Sequence, residues 1–293
     1  MSLPSGPLLK SYTYATPLPT LVQQDPKLPC ILGVDEAGRG PVLGPMVYGI
    51  CYCPLSLKEK LKEIGFADSK TLAEEQREEH LAIINESTDF IGWSVRVLSP
   101  QDISQGMLGR SKYNLNSQAH DTTIQLIRDT LKSGVNVTEV YIDTVGPPDT
   151  YQRKLQGIFP AIQITVAKKA DSLYPIVSAA SICAKVTRDH VLKDWVFAES
   201  GVEEVSREFG SGYPSDPKTV AWLQSNLDPV FGYPNIIRFS WSTCSRLLDA
   251  QGVKVTWESD EENQNSLVKM FNSKTDERSD YFKNRNLQVV SDF

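Results

Sequence analysis

Gly33-Val-Asp-Glu-Ala-Gly-Arg-Gly-Pro-Val-Leu-Gly-Pro45 decides the reading of this chain. With Cys30, Ile31 and Leu32 before it, an apolar strand runs directly into Asp35 and Glu36 and then into a turn rich in glycine and proline. Buried carboxylates are costly unless they are protonated, paired or bound to a cation. Companions stand at the ends of later elements, Asp143 in Val140-Tyr-Ile-Asp143 and Asp171 in Lys169-Ala-Asp171. Four acids converging on one pocket describe a divalent-metal site. Strand geometry imposes a condition, because adjacent side chains point to opposite faces. A twist or bulge into Ala37 and Gly38 would carry Glu36 to the margin of the site that Asp35 enters, where its carbonyl oxygen is also a candidate ligand.

The ligand types select the metal. The three histidines, His80, His120 and His190, lie far from these acids in sequence, and oxygen ligands alone favour Mg²⁺ or Mn²⁺ over Zn²⁺. Mg²⁺ commonly shares its shell between carboxylates and substrate phosphates, which points to phosphodiester chemistry. Two such ions about 3.5 to 4 Å apart would activate a water and stabilise the leaving oxygen. Each acid also has a plainer reading. Asp171 can cap the helix that follows it, and Asp143 alone is unremarkable. The glycines fit neither a P-loop, since Pro45 follows Gly44, nor a dinucleotide fingerprint, since Pro41 interrupts it. What remains is either a simple hairpin turn or a backbone that a phosphate or hydroxyl can approach closely, with Arg39 adding a charged fork.

Composition bounds the rest. A chain of 293 residues, 40% apolar, suits one large α/β domain with an appendage. No apolar run approaches the roughly 20 residues that span a bilayer, and the start has no basic region leading into an apolar core, so a soluble intracellular protein is expected, without a membrane role. Five cysteines without a CxxC pair indicate neither a disulfide framework nor a zinc knuckle. A net charge of −6 argues against a generic polyanion binder. Any nucleic-acid role must use a local basic patch or partners.

Along the chain, residues 1–27 carry five prolines and read as a flexible leader. Residues 30–37 and 45–53 read as an antiparallel hairpin, 90–98 as a third strand, and 138–145 and 162–167 as two more. Helical spacing marks 55–64, 72–84, 114–131, 151–158, one long helix over 174–199, and terminal helices over 217–227 and 241–251. The order predicts a mixed five-stranded sheet flanked by helices, with a small C-terminal helical extension. In the long helix, Ser178, Ala179, Ser181 and Ala184 form a small-residue face suited to close packing on the sheet. After Lys254 the composition turns polar and acidic, so 28–250 is the expected domain and 251–293 a tail with short docking segments.

Six segments in register resemble type 2 ribonuclease H: Val34-Asp-Glu-Ala-Gly-Arg-Gly40, Ala67-Asp-Ser-Lys-Thr-Leu72, Tyr141-Ile-Asp143, Lys169-Ala-Asp171, Ser178-Ala-Ala-Ser-Ile-Cys-Ala-Lys185 and Gly210-Ser-Gly-Tyr-Pro214. The resemblance covers about residues 28–250, and the tail is similar to that of the eukaryotic catalytic A subunit. It implies a ribonuclease H-like fold, with Asp35, Glu36, Asp143 and Asp171 as ligands of two Mg²⁺ ions. It also implies cleavage of RNA in RNA–DNA hybrids and nicking of duplex DNA 5′ of a single embedded ribonucleotide, leaving a 3′-hydroxyl and a 5′-phosphate. Gly38, Arg39 and Gly40 match the turn that senses the ribose 2′-hydroxyl. Tyr213, by itself readable as a packed turn residue, matches the tyrosine that stacks on the following deoxyribose. Lys70 matches a phosphate contact, and Arg188 is a second candidate, although a lone helix cation is commonly solvated surface. The eukaryotic resemblance implies a nuclear heterotrimer with non-catalytic subunits B and C, onto which Tyr281 and Phe282 would dock. Gln264-Asn-Ser-Leu-Val-Lys-Met-Phe271 loosely resembles a sliding-clamp peptide, with Met270 replacing the usual aromatic. Two other readings compete: a catalytically silent nucleic-acid scaffold of the same fold, against which the intact acids argue, and a different metal nuclease or strand-transfer enzyme, against which the turn and Tyr213 argue.

Overall fold

Six strands, β1 (Tyr12–Ala15), β2 (Cys30–Ala37), β3 (Met46–Pro54), β4 (Gly92–Leu98), β5 (Val137–Asp143) and β6 (Gln163–Ala167), form one mixed sheet in the order β1-β4-β3-β2-β5-β6. The structure, a computed structural model, describes residues 6–66, 72–111, 113–144, 146–199 and 205–255. The first four strands pair antiparallel, and β5 and β6 join β2 in parallel. The helices are α1 (Thr20–Gln24), α2 (Lys58–Glu63), α3 (Glu74–Glu86), α4 (Pro100–Leu108), α5 (Leu115–Lys132), α6 (Pro148–Ile158), α7 (Ala170–Leu173), α8 (Pro175–Lys193), α9 (Pro217–Ser225) and α10 (Ser242–Gln251). None of the described helices is long and apolar enough to cross a membrane.

Strand β2 is buried on both faces, and its side chains alternate between two cores as the pleat requires. Cys30, Leu32 and Val34 enter the core that also holds Ile124, Ile127 and Leu155 of α5 and α6. Ile31 enters the opposite core, with Ile176, Ala180 and Ile182 of α8. Asp35 therefore emerges on the α8 side and Glu36 on the α5 and α6 side. A third core of Val42, Leu43, Trp195, Trp222, Ile236, Ile237 and Cys244 joins the glycine turn to α9 and α10.

The small-residue face of α8 has the packing role its composition suggests. A Cβ added at Gly33 would lie 2.3 Å from the Ile176 carbonyl oxygen, and one at Gly49 would lie 2.6 Å from that of Ala180. The helix backbone thus rests on the strand backbones where β2 and β3 have no side chain. All five cysteines are free and buried, as core thiols should be.

Three expectations need correction. The sheet has six strands, because residues 12–15 of the supposed flexible leader pair with β4, Tyr12 opposite Val97. Tyr14 adds a ring contact to Trp93 at 5.1 Å, and the Ser11 amide donates to the Asp102 carboxylate at 2.7 Å. Prolines punctuate this segment without freeing it, since edge strands tolerate them nearby. Next, the helix expected over 174–199 is α8, which ends at Lys193, and the separate one-turn α7 precedes it. Finally, β2 stays in register with β3 through Ala37, Glu36 opposite Tyr48, so no bulge turns Glu36; the only irregularity of its pairing with β5 lies back at Cys30 and Ile31. Helix α4, capped by the Ser99 hydroxyl accepting from the Asp102 amide at 3.1 Å, is an addition to the elements that the periodicity marks. Residues 256–293, with the clamp-like segment and Tyr281 and Phe282, lie outside the described residues.

Gly33→Ala should lower the free energy of unfolding by about 3 kcal/mol, the upper range for overpacking a tight core. Urea unfolding should show a lower midpoint at unchanged slope.

Candidate active site

The parallel ends of β2 and β5 bring acids together. Val34 pairs with Ile142, which sets Asp35 and Asp143 side by side at the carboxyl edge, where ligand crevices form in α/β sheets. After β6 the chain reverses at Lys169, whose φ of 57° makes it the one non-glycine residue in left-handed conformation among the described residues. A side chain there costs of order 1–2 kcal/mol. The reversal starts α7 and delivers Asp171, and the Ala170 amide donates to the Asp143 carboxylate at 3.0 Å. Asp171 thus sits inside a one-turn helix and is not the cap of the long one, whose N-cap is Tyr174.

Ligand oxygens of Asp35, Asp143 and Asp171 all lie within 4.8 Å of one another. Asp35 and Asp171 are 4% and 2% exposed, too little for water to screen them. Asp35 accepts from the Ser181 hydroxyl and from the Glu36 amide at 2.7 Å. Burial, reinforced by the charges of Asp143 and Asp171, nonetheless pushes its pKa up to about 7. A buried group of mutually repelling, all-oxygen donors is what a hard divalent cation relieves, so the residues fit such an ion. Glu36 comes from the other face of β2 and lines the same cleft, of about 480 Å³, as Asp35 and Asp143.

The glycine turn forms the facing wall. Gly38 is left-handed, at φ 75°, and a Cβ there would lie 2.2 Å from Arg188 Nε. A Cβ on Gly40 would lie 2.8 Å from the Tyr213 ring. Tyr213 is 47% exposed, so it is not the packed anchor that its loop alone suggests. Arg188 is not solvated surface either: its side chain is 13% exposed, and its buried Nε has no hydrogen-bond partner among the described residues. Arg188, Lys185 and Arg77 line the cleft together, which supplies the local basic patch that the net charge requires. The Arg39 guanidinium turns away toward the Asn116 amide oxygen and the Tyr48 hydroxyl. Lys70 lies outside the described residues.

Sequence reasoning missed what holds the turn. Arg238 is fully buried and donates to the carbonyls of Gly44 at 2.8 Å, Arg39 at 3.2 Å and Gly38 at 2.6 Å. Its guanidinium lies 4.9 Å from the Trp241 ring centroid, and the Trp241 indole donates to the Gly40 carbonyl at 3.0 Å. Burial pulls the Arg238 pKa down to about 9, which leaves it charged at neutral pH. The available signal was a lone cation inside the apolar run Ile236-Ile-Arg-Phe239. Ser181, read only as a packing residue, also holds Asp35.

A ribonuclease H-like sheet with buried acids at its carboxyl edge and a basic wall beside them defines a metal-dependent nuclease. The chain belongs to the ribonuclease HII family, which it matches over residues 32–244. It is 57% identical to the ribonuclease H2 A subunit of Bos taurus over 235 residues, 80% of this chain and 78% of that protein. It is 55% identical to the Homo sapiens A subunit over 257 residues, 87% of this chain and 84% of that one. Among solved structures, ribonuclease H2 of Pyrococcus horikoshii superposes with a TM-score of 0.61 at 31% identity, covering 75% of this chain and 98% of that one. Ribonuclease HII of Archaeoglobus fulgidus, solved with PCNA, gives 0.60 at 29% identity, covering 78% and 99%. The protein is therefore a hydrolase, an endoribonuclease acting on RNA–DNA hybrids.

Two outcomes follow from this geometry. Because the pKa of Asp35 in the folded chain lies above its ordinary value of 3.8, the metal-free folded protein binds more protons than the unfolded chain between about pH 4 and 7. Its stability should fall as pH rises through that window, and Asp35→Asn should raise metal-free stability at pH 8 by roughly 1 to 3 kcal/mol, measured by urea unfolding in chelator. Arg238→Lys, which cannot span three carbonyls, should lower hybrid cleavage about tenfold and reduce the thermal midpoint by several degrees.

Proposed function

We propose that this chain is the catalytic subunit of a multi-subunit ribonuclease H2 that also nicks duplex DNA on the 5′ side of a single embedded ribonucleotide, leaving a 3′-hydroxyl and a 5′-phosphate. The observation that carries this reading is the seating of Tyr213 against Gly40 in the same cleft as Asp35, Glu36 and Asp143. An aromatic ring beside an exposed backbone, a short step from an acid cluster, is suited to reading one sugar and then the next.

Asp35, Asp143 and Asp171, with Glu36 at the margin, would hold two divalent cations, Mg²⁺ or Mn²⁺. When bound, these supply an activated water in line with the phosphorus and neutralise charge on the departing 3′ oxygen. The backbone of Gly38, Arg39 and Gly40 meets the ribose, whose 2′-hydroxyl both donates and accepts and so separates RNA from DNA. Tyr213 stacks on the deoxyribose that follows. Arg188, with Lys185 and Arg77 beside it, holds the phosphates of the strand by charge-assisted hydrogen bonds, and Lys70 is assigned a further phosphate.

The relatives carry the name of an A subunit, and partners B and C would supply duplex-binding surface that a chain of net charge −6 lacks. A role in ribonucleotide removal during DNA replication and repair places the assembly in the nucleus. The segment 264–271 is the candidate contact for a sliding clamp, the kind of partner with which the Archaeoglobus enzyme was solved.

Asp35→Ala should abolish Mg²⁺-dependent nicking of a duplex containing one ribonucleotide while hybrid binding persists; nicking at the wild-type rate would remove the metal-site assignment. Tyr213→Ala should reduce single-ribonucleotide incision tenfold or more, in line with about 1 to 3 kcal/mol for a lost stacking contact, and affect uniform hybrids less. Equal losses on the two substrates would exclude junction reading.

A further inference from the structure

A second cavity, of about 170 Å³, opens on the other face of β2. Glu36, Asp143 and Arg39 line both it and the cleft. Its other walls include Tyr48 of β3, Asn116 and His120 from the N-terminal half of α5, and Tyr151 from the first turn of α6. Arg39 belongs to the turn by its backbone, yet its guanidinium points here, held by the Asn116 amide oxygen and, at 3.4 Å, by the Tyr48 hydroxyl. His120 stacks flat on Tyr151, with ring centroids 3.9 Å apart and planes 13° from parallel. Burial first, then the charges of Lys154 and Arg39, hold the imidazole below its usual pKa, so at neutral pH it offers one donor and one acceptor.

A guanidinium, a neutral imidazole and an amide around a space of about six water volumes form a receptor for a sugar with its phosphate. They do not make another metal site, since a fixed cation stands among them. The direction of the strand identifies which sugar. On the reading given above, Gly40 and Tyr213 take the ribonucleotide and the deoxyribose 3′ of it, with the cleaved phosphate over the acids. A continuous strand must then leave the acids on the side away from Tyr213. That side is where Glu36 and Asp143 pass from one cavity to the other.

We propose that this second cavity seats the nucleotide immediately 5′ of the cleaved bond, with Arg39 on its 5′ phosphate and His120 on its sugar. Arg39 then serves both sides of the cut, its backbone facing the ribose and its side chain the upstream phosphate. Asn116 is a positioning residue that aims the guanidinium, and the Tyr151 ring holds the imidazole.

The test uses duplexes carrying one ribonucleotide, with the linkage one step 5′ of the cut either a normal phosphate or a neutral methylphosphonate. Incision by the full chain with its partner subunits is measured as kcat/KM for the wild type, Asn116→Ala and His120→Ala. On the natural duplex each variant should lose on the order of tenfold, Asn116→Ala through the charge-assisted phosphate contact that it aims and His120→Ala through a hydrogen bond to the sugar. The neutral linkage should cost the wild type and His120→Ala a similar factor and cost Asn116→Ala almost nothing more, because the guanidinium that Asn116 aims has already lost the phosphate. Wild-type rates unaffected by the neutral linkage, losses that multiply in full in Asn116→Ala, or an undiminished rate for His120→Ala on the natural duplex would overturn the proposal. Should His120→Ala fail to fold, exposed Asn116 carries the same comparison. Failure of the wild type to incise the natural duplex would instead reject the single-ribonucleotide reading beneath it.

Discussion

Everything at the site depends on how closely α8 lies against the central strands. The contact is backbone on backbone, at Gly33 and Gly49, and it fixes the height of the helix above the sheet. One face of that helix then presents Ser181, Lys185 and Arg188, at positions i, i+4 and i+7. The first holds Asp35, the second faces the cleft, and the third lies against Gly38. A helix raised by a single methyl group would draw all three away together, so two glycines remote from the chemistry set its geometry.

Electrostatically, the site is built from two opposed discomforts. Asp35 is packed too deep, and too close to Asp143 and Asp171, to be at ease as an anion, which is visible in its raised pKa. Opposite them, Arg188 is largely buried and its pKa is lowered by desolvation. On the proposed reading a divalent cation would relieve the first and a phosphodiester the second, with the substrate backbone bridging the two. Such sites hold free energy in reserve in the empty protein and release it on binding, which is the usual relation between function and stability.

Much of this is legible in the sequence for a physical reason. The strand–acid–acid–glycine order, the later Asp143 and Asp171, and the small-residue helix each report a local demand on backbone or burial, and local demands show in local patterns. Strand β1 is hidden because proline density masks the alternation of Tyr12 and Tyr14, whose value lies in Trp93, far along the chain. Glu36 needs no bulge to reach its place; the regular pleat already sends it to the second cavity. Arg238 and Trp241 are invisible for a different reason. They act on the turn from about 200 residues away, and no periodicity encodes a hydrogen bond across that separation.

The commitment of the turn's carbonyls has a chemical consequence. With the oxygens of Gly38, Arg39, Gly40 and Gly44 drawn inward by Arg238 and Trp241, what the turn's backbone can still present to the cleft is the N–H groups of Gly38, Arg39 and Gly40. The peptide has been polarised into a one-sided surface that answers only to lone pairs. On the proposed reading a sugar bearing an oxygen at that point would satisfy it, and a sugar bearing only C–H would dry it without recompense. Discrimination by such a turn would need no steric gate against the smaller sugar, because the buried guanidinium would make the absence of one oxygen atom an energetic fault.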